Sequence, residues 1–231
     1  ARIAFYSNSI NNPLQAELAH KLGRISGLND YRLFLCNSGA EANENALKLA
    51  SFHTGKKRVI AFENSFHGRT SVAVAATDNP AIRAPLNAQQ QVDFIPLNRP
   101  ALLEKELEKG DVCAVILETI QGVGGLDMAE PGFLKAVSEH CRTHGAVFIA
   151  DEVQSGFGRS GAFFAFQHSG VQPDIVSMAK GMGNGFPVGG ILIHPDFRAR
   201  VGLLGTTFGG NHLACAAALS VLEVLESENL L

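Results

Sequence analysis

The sequence predicts an α/β domain built on a mostly parallel sheet, and three features carry that prediction. Seven short apolar runs are each bounded by charge, Gly or Pro; the stretches between most of them repeat apolar residues at helical spacing; and no internal repeat, low-complexity segment or charge block interrupts the alternation. In order, the runs are YRLFL at 31–35, RVIAF at 58–62, VDFIP at 92–96, VCAVIL at 112–117, AVFIA at 146–150, DIVSM at 174–178 and VGGILI at 188–193. Continuous apolar runs of this length read as strands covered on both faces. Leu14, Leu18 and Leu22 mark a first amphipathic helix, and Ala42, Ala46, Leu49 and Ala50 a second. Leu103 and Leu107 mark a third, Phe133, Leu134, Val137 and Cys141 a fourth, and Cys215, Leu219, Leu222 and Leu225 a fifth. In such folds ligands collect at the carboxyl ends of the strands, so the residues following each run carry the functional reading.

Composition narrows the function class. The chain has 231 residues, 46% of them hydrophobic and 18% charged, which excludes a disordered or collagen-like protein. Nineteen basic against 22 acidic side chains give a net charge of -3, no footprint for a nucleic-acid backbone or an anionic membrane surface. No stretch approaches the roughly 18 uninterrupted apolar residues of a spanning helix. With no Trp and two Tyr, the composition resembles an enzyme core more than an aromatic-anchored docking surface. Cys36, Cys113, Cys141 and Cys215 show no C-x-x-C spacing, and three of them sit in apolar or alanine-rich runs; the expected setting is reducing and cytoplasmic. The opening ARIAFYSNS has no targeting pattern, and without an initiator Met residue 1 is not expected to be the natural start.

Four strand ends carry candidate chemistry. After YRLFLC, NSGAEANE runs through Ser38, Gly39 and Ala40 into a helix whose free amides could cradle a phosphate; a Ser38 cap with Glu41 in a capping box is the competing reading. After RVIAF, ENSFHGRT offers the rings of Phe66 and His67 for stacking on a flat cofactor and Arg69 as a fork for a carboxylate, or simply a core Phe before a surface turn. After AVFIA, Asp151 and Glu152 end a buried strand, which is costly unless they meet donors or a cation; Asp151 could equally cap the next turn. A metal site is not expected: no His or third carboxylate accompanies this pair, and His140 and His144 read as solvated. After DIVSM, AKGMGNGFPVGG places Lys180 in a Gly-rich loop, where desolvation would lower its pKa towards a nucleophile or base.

An amine, a carboxylate, a stacking ring and a phosphate cradle form the set that pyridoxal 5'-phosphate requires. The ordered motifs NSGAEANE, FHGRT, ETIQG, DEVQSGFGR, AKGMGNGFP and GTTFGGNHLACAAAL resemble the class III pyridoxal-phosphate aminotransferases, most closely their acetylornithine branch. The resemblance implies a three-layer α/β/α large domain of fold type I over 1–231, lacking most of the N-terminal arm and the C-terminal small domain. It implies Lys180 as the Schiff-base lysine and proton shuttle, Asp151 as the partner of the ring nitrogen, Gln154 near the phenolic oxygen, Val153 under the ring and Phe66 over it. His67 and Ser38 join the cofactor shell, and Gly39 and Ala40 give amides to the phosphate. Thr207 would reach the phosphate of a neighbouring subunit, implying a homodimer, while Arg69, Glu118 and Thr206 would meet the amino-acid and 2-oxo-acid substrates.

One departure bears on substrate. Many members carry EPIQGE where this chain has Glu118-Thr119-Ile120-Gln121-Gly122-Val123, and the valine makes an acylated substrate without a free α-amine easier to accommodate. The leading reading is transfer of the δ-amino group of N2-acetylornithine to 2-oxoglutarate, in arginine biosynthesis. N-succinylornithine, ornithine or 4-aminobutyrate are rival donors, and a cofactor-binding but inactive module is the reading from another class. A nicotinamide enzyme is disfavoured, because no G-x-G-x-x-G follows the first strand.

Overall fold

The computed structural model describes residue 7, residues 10–198 and residues 200–231; most of the opening ARIAFYSNS lies outside the described residues. All seven apolar runs are strands: β1 (Arg32–Cys36), β2 (Arg58–Phe62), β3 (Val92–Ile95), β4 (Val112–Glu118), β5 (Val147–Asp151), β6 (Ile175–Met178) and β7 (Gly189–Ile193). They form one sheet in the order β1-β7-β6-β5-β4-β2-β3. Every pair is parallel except those of β7, which runs antiparallel to β1 and β6. The exception has a local cause: the link from Met178 to Gly189 holds only one 3-10 turn, too little for the crossover that a parallel return requires.

The five helices expected from spacing are α1 (Pro13–Ser26), α2 (Gly39–Thr54), α4 (Pro100–Leu107), α5 (Pro131–His144) and α6 (His212–Ser227). Strand alternation sorts the core into two layers. Ile60, Phe62, Val115, Leu117, Phe148 and Val176 meet α1, α4, α5 and α6, whereas Val59, Ala61, Ala114, Ile116, Ile149 and Ile175 meet α2. The result is the three-layer α/β/α arrangement. Alanines at 42, 46 and 50 keep the facing side of α2 thin, so that its axis approaches the sheet closely. Coverage on both faces fails at the two edges. Asp93 of β3 and Arg32 of β1 are exposed, as sheet-edge positions tend to be.

A short helix that the spacing does not announce, α3 (Ser71–Ala75), has no side-chain cap of its own. Glu44 of α2 supplies one across the fold, accepting from the amides of Val72 and Ala73 and from Thr70 Oγ1. Such a cap is invisible to local periodicity. His140 lies 3.9 Å from Glu104, and Lys56 Nζ donates to the His144 carbonyl.

At the amino end of β2, Arg58 is buried and its guanidinium meets Asp93 at 2.6 Å, Glu106 at 2.8 Å and Asp111 at 2.7 Å. The clip joins β2 to β3, to α4 and to the start of β4. Replacing it with the similarly long Met is expected to destabilise the domain by about 2 kcal/mol, the scale of lost hydrogen bonds to charged groups, because the freed carboxylates can rehydrate. Thermal unfolding should show a fall of roughly 4–8 °C, and an unchanged midpoint would make the cluster energetically silent.

Candidate active site

Two glycines bring the N-terminus of α2 to the carboxyl edge of the sheet. A Cβ on Gly189 of β7 would lie 2.7 Å from the Ser38 carbonyl, and one on Gly39 would lie 2.6 Å from Val153 Cγ1. A side chain at Gly189 would push the helix start away from β7, and one at Gly39 would push it away from the loop after β5. Ser38 is the N-cap, its Oγ accepting from the Glu41 amide at 3.2 Å, while Glu41 reaches back to the amide and side chain of Asn37. The capping reading and the cradle reading therefore hold together: the cap uses Glu41, and Ala42 bonds the Ser38 carbonyl. Gly39 and Ala40 remain as first-turn N–H groups without an intrahelical acceptor.

Register places two carboxylates side by side, since Glu118 of β4 pairs with Asp151 of β5. Both are buried. Asp151 Oδ2 accepts from Asn43 Nδ2 and faces His67 Nδ1, each at 2.7 Å, and Oδ1 accepts from the Val153 amide at 3.0 Å. A carboxylate accepts only, so His67 carries its hydrogen on Nδ1. This corrects the reading of His67 as a stacking ring: it is 2% exposed and lies behind Asp151, while Phe66 keeps a half-buried ring. Glu118, beside Asp151, accepts with its two oxygens from the backbone amides of Phe66 at 2.8 Å and Gly122 at 3.1 Å, so it holds two loops of the site. Burial raises its pKa, with neighbouring Asp151 adding to the rise and His67 opposing it.

Glu152 belongs to the scaffold. It is fully buried and accepts from Thr119, Ser155 and the amides of Ala165 and Phe166. Burial raises its pKa, and these four donors oppose the rise.

Lys180 follows β6 and stands at φ 45°, the left-handed region that a side chain adopts only under strain. Its Nζ donates to Gln154 Oε1 at 2.6 Å. The desolvation expected of Lys180 is not found. Its side chain is exposed because the Gly-rich loop leaves the strand end open. Gln154, assigned by resemblance to the phenolic oxygen, engages the lysine in this structure and packs against Gly122. Asn37, Ser38, Gly39, Lys180 and the 184–188 loop line a cavity of about 500 Å³. Arg69 is exposed with its guanidinium 5.9 Å above the Phe66 ring. Thr206 Oγ1 accepts from Asn37 Nδ2 at 3.4 Å, which brings it beside the α2 start; Thr207 is exposed next to it. A larger cleft of about 980 Å³, lined by His53, Arg142, Asp174 and His194, lies at the opposite edge and holds none of these residues. Among the described residues no cluster of three metal-ligating side chains occurs.

Motif reading passed over Asn43 and Ser177. Both are buried, and Ser177 donates to Asn43 Oδ1 at 2.6 Å. A polar side chain amid the alanine face of α2 was the available signal.

An anion cradle, a primary amine, an aromatic face and a pinned carboxylate thus share one sheet edge, and this donor set fits pyridoxal phosphate: fold and site together define a pyridoxal-phosphate-type transferase domain. Comparison with known proteins agrees. Residues 1–231 match the class III aminotransferase family throughout, and the chain belongs to that family, whose chemistry is pyridoxal-phosphate-dependent. It is 44% identical over 227 residues to the acetylornithine aminotransferase of Methanosarcina acetivorans, covering 97% of this chain and 57% of that protein. Identity to the Bacillus subtilis acetylornithine aminotransferase is 44% over 222 residues, covering 95% and 57% respectively. The ornithine aminotransferase structure from Toxoplasma gondii superposes with a TM-score of 0.91 at 31% identity, covering 99% of this chain and 56% of that one. The chain spans less than two thirds of the length of these relatives.

Proposed function

We propose that residues 1–231 form the cofactor-binding large domain of an aminotransferase that moves the δ-amino group of N2-acetylornithine to 2-oxoglutarate. The observation that carries this reading is the convergence of Lys180, Asp151 and the α2 N-terminus on one sheet edge. Bound pyridoxal phosphate supplies the electron sink that makes amino-group transfer possible. Gly39 and Ala40 would donate to its phosphate, Phe66 and Val153 would enclose its ring, and Asp151 would face the ring nitrogen. Lys180 has the amine to hold the cofactor and to carry a proton between reacting carbons, and Gln154 orients that amine. Arg69 offers the substrate carboxylate a planar fork. Thr206 extends the substrate side, and Thr207 would serve a second copy of the chain in a homodimer. Exposed Val123 supports an acylated substrate, as do the acetylornithine aminotransferases among the relatives. Burial pushes the thiols of Cys36 up to about 12 and of Cys113 and Cys215 up to about 11, which supports packing cysteines with little reactivity; the proposed setting is cytoplasmic.

Turnover tests this directly. The expected result is the highest kcat/KM with N2-acetylornithine, ahead of N-succinylornithine, ornithine and 4-aminobutyrate. Preference for another donor overturns the substrate, and cofactor binding without turnover on any of them leaves the inactive-module reading.

Arg69→Lys keeps the charge and removes the fork of two parallel hydrogen bonds. A loss of about 10- to 100-fold in kcat/KM for acetylornithine is expected, with cofactor absorbance unchanged. An ω-amine without a carboxylate should lose little. Equal loss on both substrates would make Arg69 a support for the Phe66 loop.

A further inference from the structure

We infer that Asn43 is the positioning residue that locks the Asp151 carboxylate to the phosphate cradle, fixing the spacing between the two ends of the cofactor site. The inference rests on the reading of the site given above. Asn43 is 1% exposed, and both its Nδ2 hydrogens and its Oδ1 are engaged. Nδ2 donates to Asp151 Oδ2 at 2.7 Å and to the His67 carbonyl at 2.8 Å, and Oδ1 accepts from Ser177 Oγ at 2.6 Å. The orientation of the amide follows from its partners: a carboxylate and a carbonyl can only accept, so the nitrogen must face them.

Asn43 and its three partners belong to the four segments that deliver the site. Asn43 sits one turn below Gly39 and Ala40 on α2; Asp151 ends β5; the His67 carbonyl adjoins Phe66; and Ser177, the register partner of Asp151 on β6, lies three residues before Lys180. One buried amide therefore ties cradle, carboxylate, ring loop and lysine strand together. His67 and the Val153 amide hold Asp151 from other directions, but neither of these bonds to the carboxylate comes from α2. Without Asn43 the carboxylate keeps those two donors and loses its hydrogen bond to the helix. The burial of Asn43 also keeps solvent from rotating the amide, so the Asp151–α2 spacing is set before any ligand enters.

The test measures pyridoxal-phosphate affinity by absorbance titration and the pH midpoint of the bound cofactor's absorbance, in the holoenzyme and its variants. Asn43→Leu keeps the branched heavy-atom shape and removes every side-chain hydrogen bond. A rise in cofactor Kd of about tenfold is expected, with a shift of at least about half a unit in the pH midpoint. Ser177→Ala leaves both Nδ2 bonds of Asn43 in place and removes only the bond to its Oδ1, and should move the same midpoint in the same direction by less; it also serves if Asn43→Leu does not fold. Ala46→Gly, on the same face of α2 and part of the apolar cluster with Ile149 and Ile175, should lower the thermal midpoint of the apoprotein and leave the pH midpoint where it is. An unshifted pH midpoint in the folded Asn43 or Ser177 variants overturns the inference, and so does an equal shift in Ala46→Gly. Failure of the unaltered protein to bind pyridoxal phosphate would instead overturn the reading of the site, and this inference with it.

Discussion

Lys180→Ala is expected to lower transamination by at least about 10⁴-fold, the upper range for a general acid–base group, because in the proposed function one amine would both hold the cofactor and carry the proton. Gln154, its partner at 2.6 Å, has no ionisable group to replace it. Borohydride reduction of the unaltered holoenzyme and peptide mapping should find the pyridoxyl group on Lys180, and a label on another lysine would sink the assignment. Backbone geometry adds a second, independent expectation. At φ 45° any side chain is strained, and glycine is not. Lys180→Gly should therefore be as inactive as Lys180→Ala yet more stable than it by about 1 kcal/mol, roughly 2–4 °C in thermal midpoint. A site that keeps a strained residue where glycine would be easier is trading stability for the amine. If both variants unfold at the same temperature, the strain carries no measurable energy.

The architecture was legible because its signals are local. Each strand is a run of apolar residues such as RVIAF, and each long helix repeats its buried positions every three or four residues; neither needs knowledge of a distant partner. What stayed hidden depends on pairs far apart in sequence. Glu44 caps α3 from another helix, and the reversal of β7 is written in the length of its connection more than in its own composition. The same distinction divides the site. Lys180, Asp151 and the Ser38-Gly39-Ala40 turn could be read as residues at strand ends. Whether a residue faces the ligand or the scaffold could not. His67 and Glu118 sit in motifs that look ligand-facing, yet their polar atoms meet Asp151 and the loop amides. Asn43 looks like an ordinary helical residue and touches Asp151, 108 positions later in the chain.

Asp151→Asn is the complementary experiment, since it preserves the shape of the side chain and removes its charge. The cradle at Gly39 and Ala40 and the amine of Lys180 are untouched, so cofactor retention should change little. Turnover should fall by about 10²–10³-fold, the usual consequence of removing one preorganised electrostatic partner from a desolvated site. The substitution also exposes a conflict inside the fold. An asparagine at 151 presents one acceptor and one donor to a place where Asn43, His67 and the Val153 amide all donate. At least one buried donor then faces an N–H group, and a loss of about 1–3 kcal/mol in folding stability is expected alongside the kinetic loss. The two effects separate cleanly. Assayed well below its thermal midpoint, the variant should still show the full fall in kcat with nearly unchanged cofactor affinity. Near-normal kcat in a folded, cofactor-loaded Asp151→Asn protein would mean that the carboxylate is there to satisfy Asn43 and His67, and that the ring nitrogen finds its partner elsewhere.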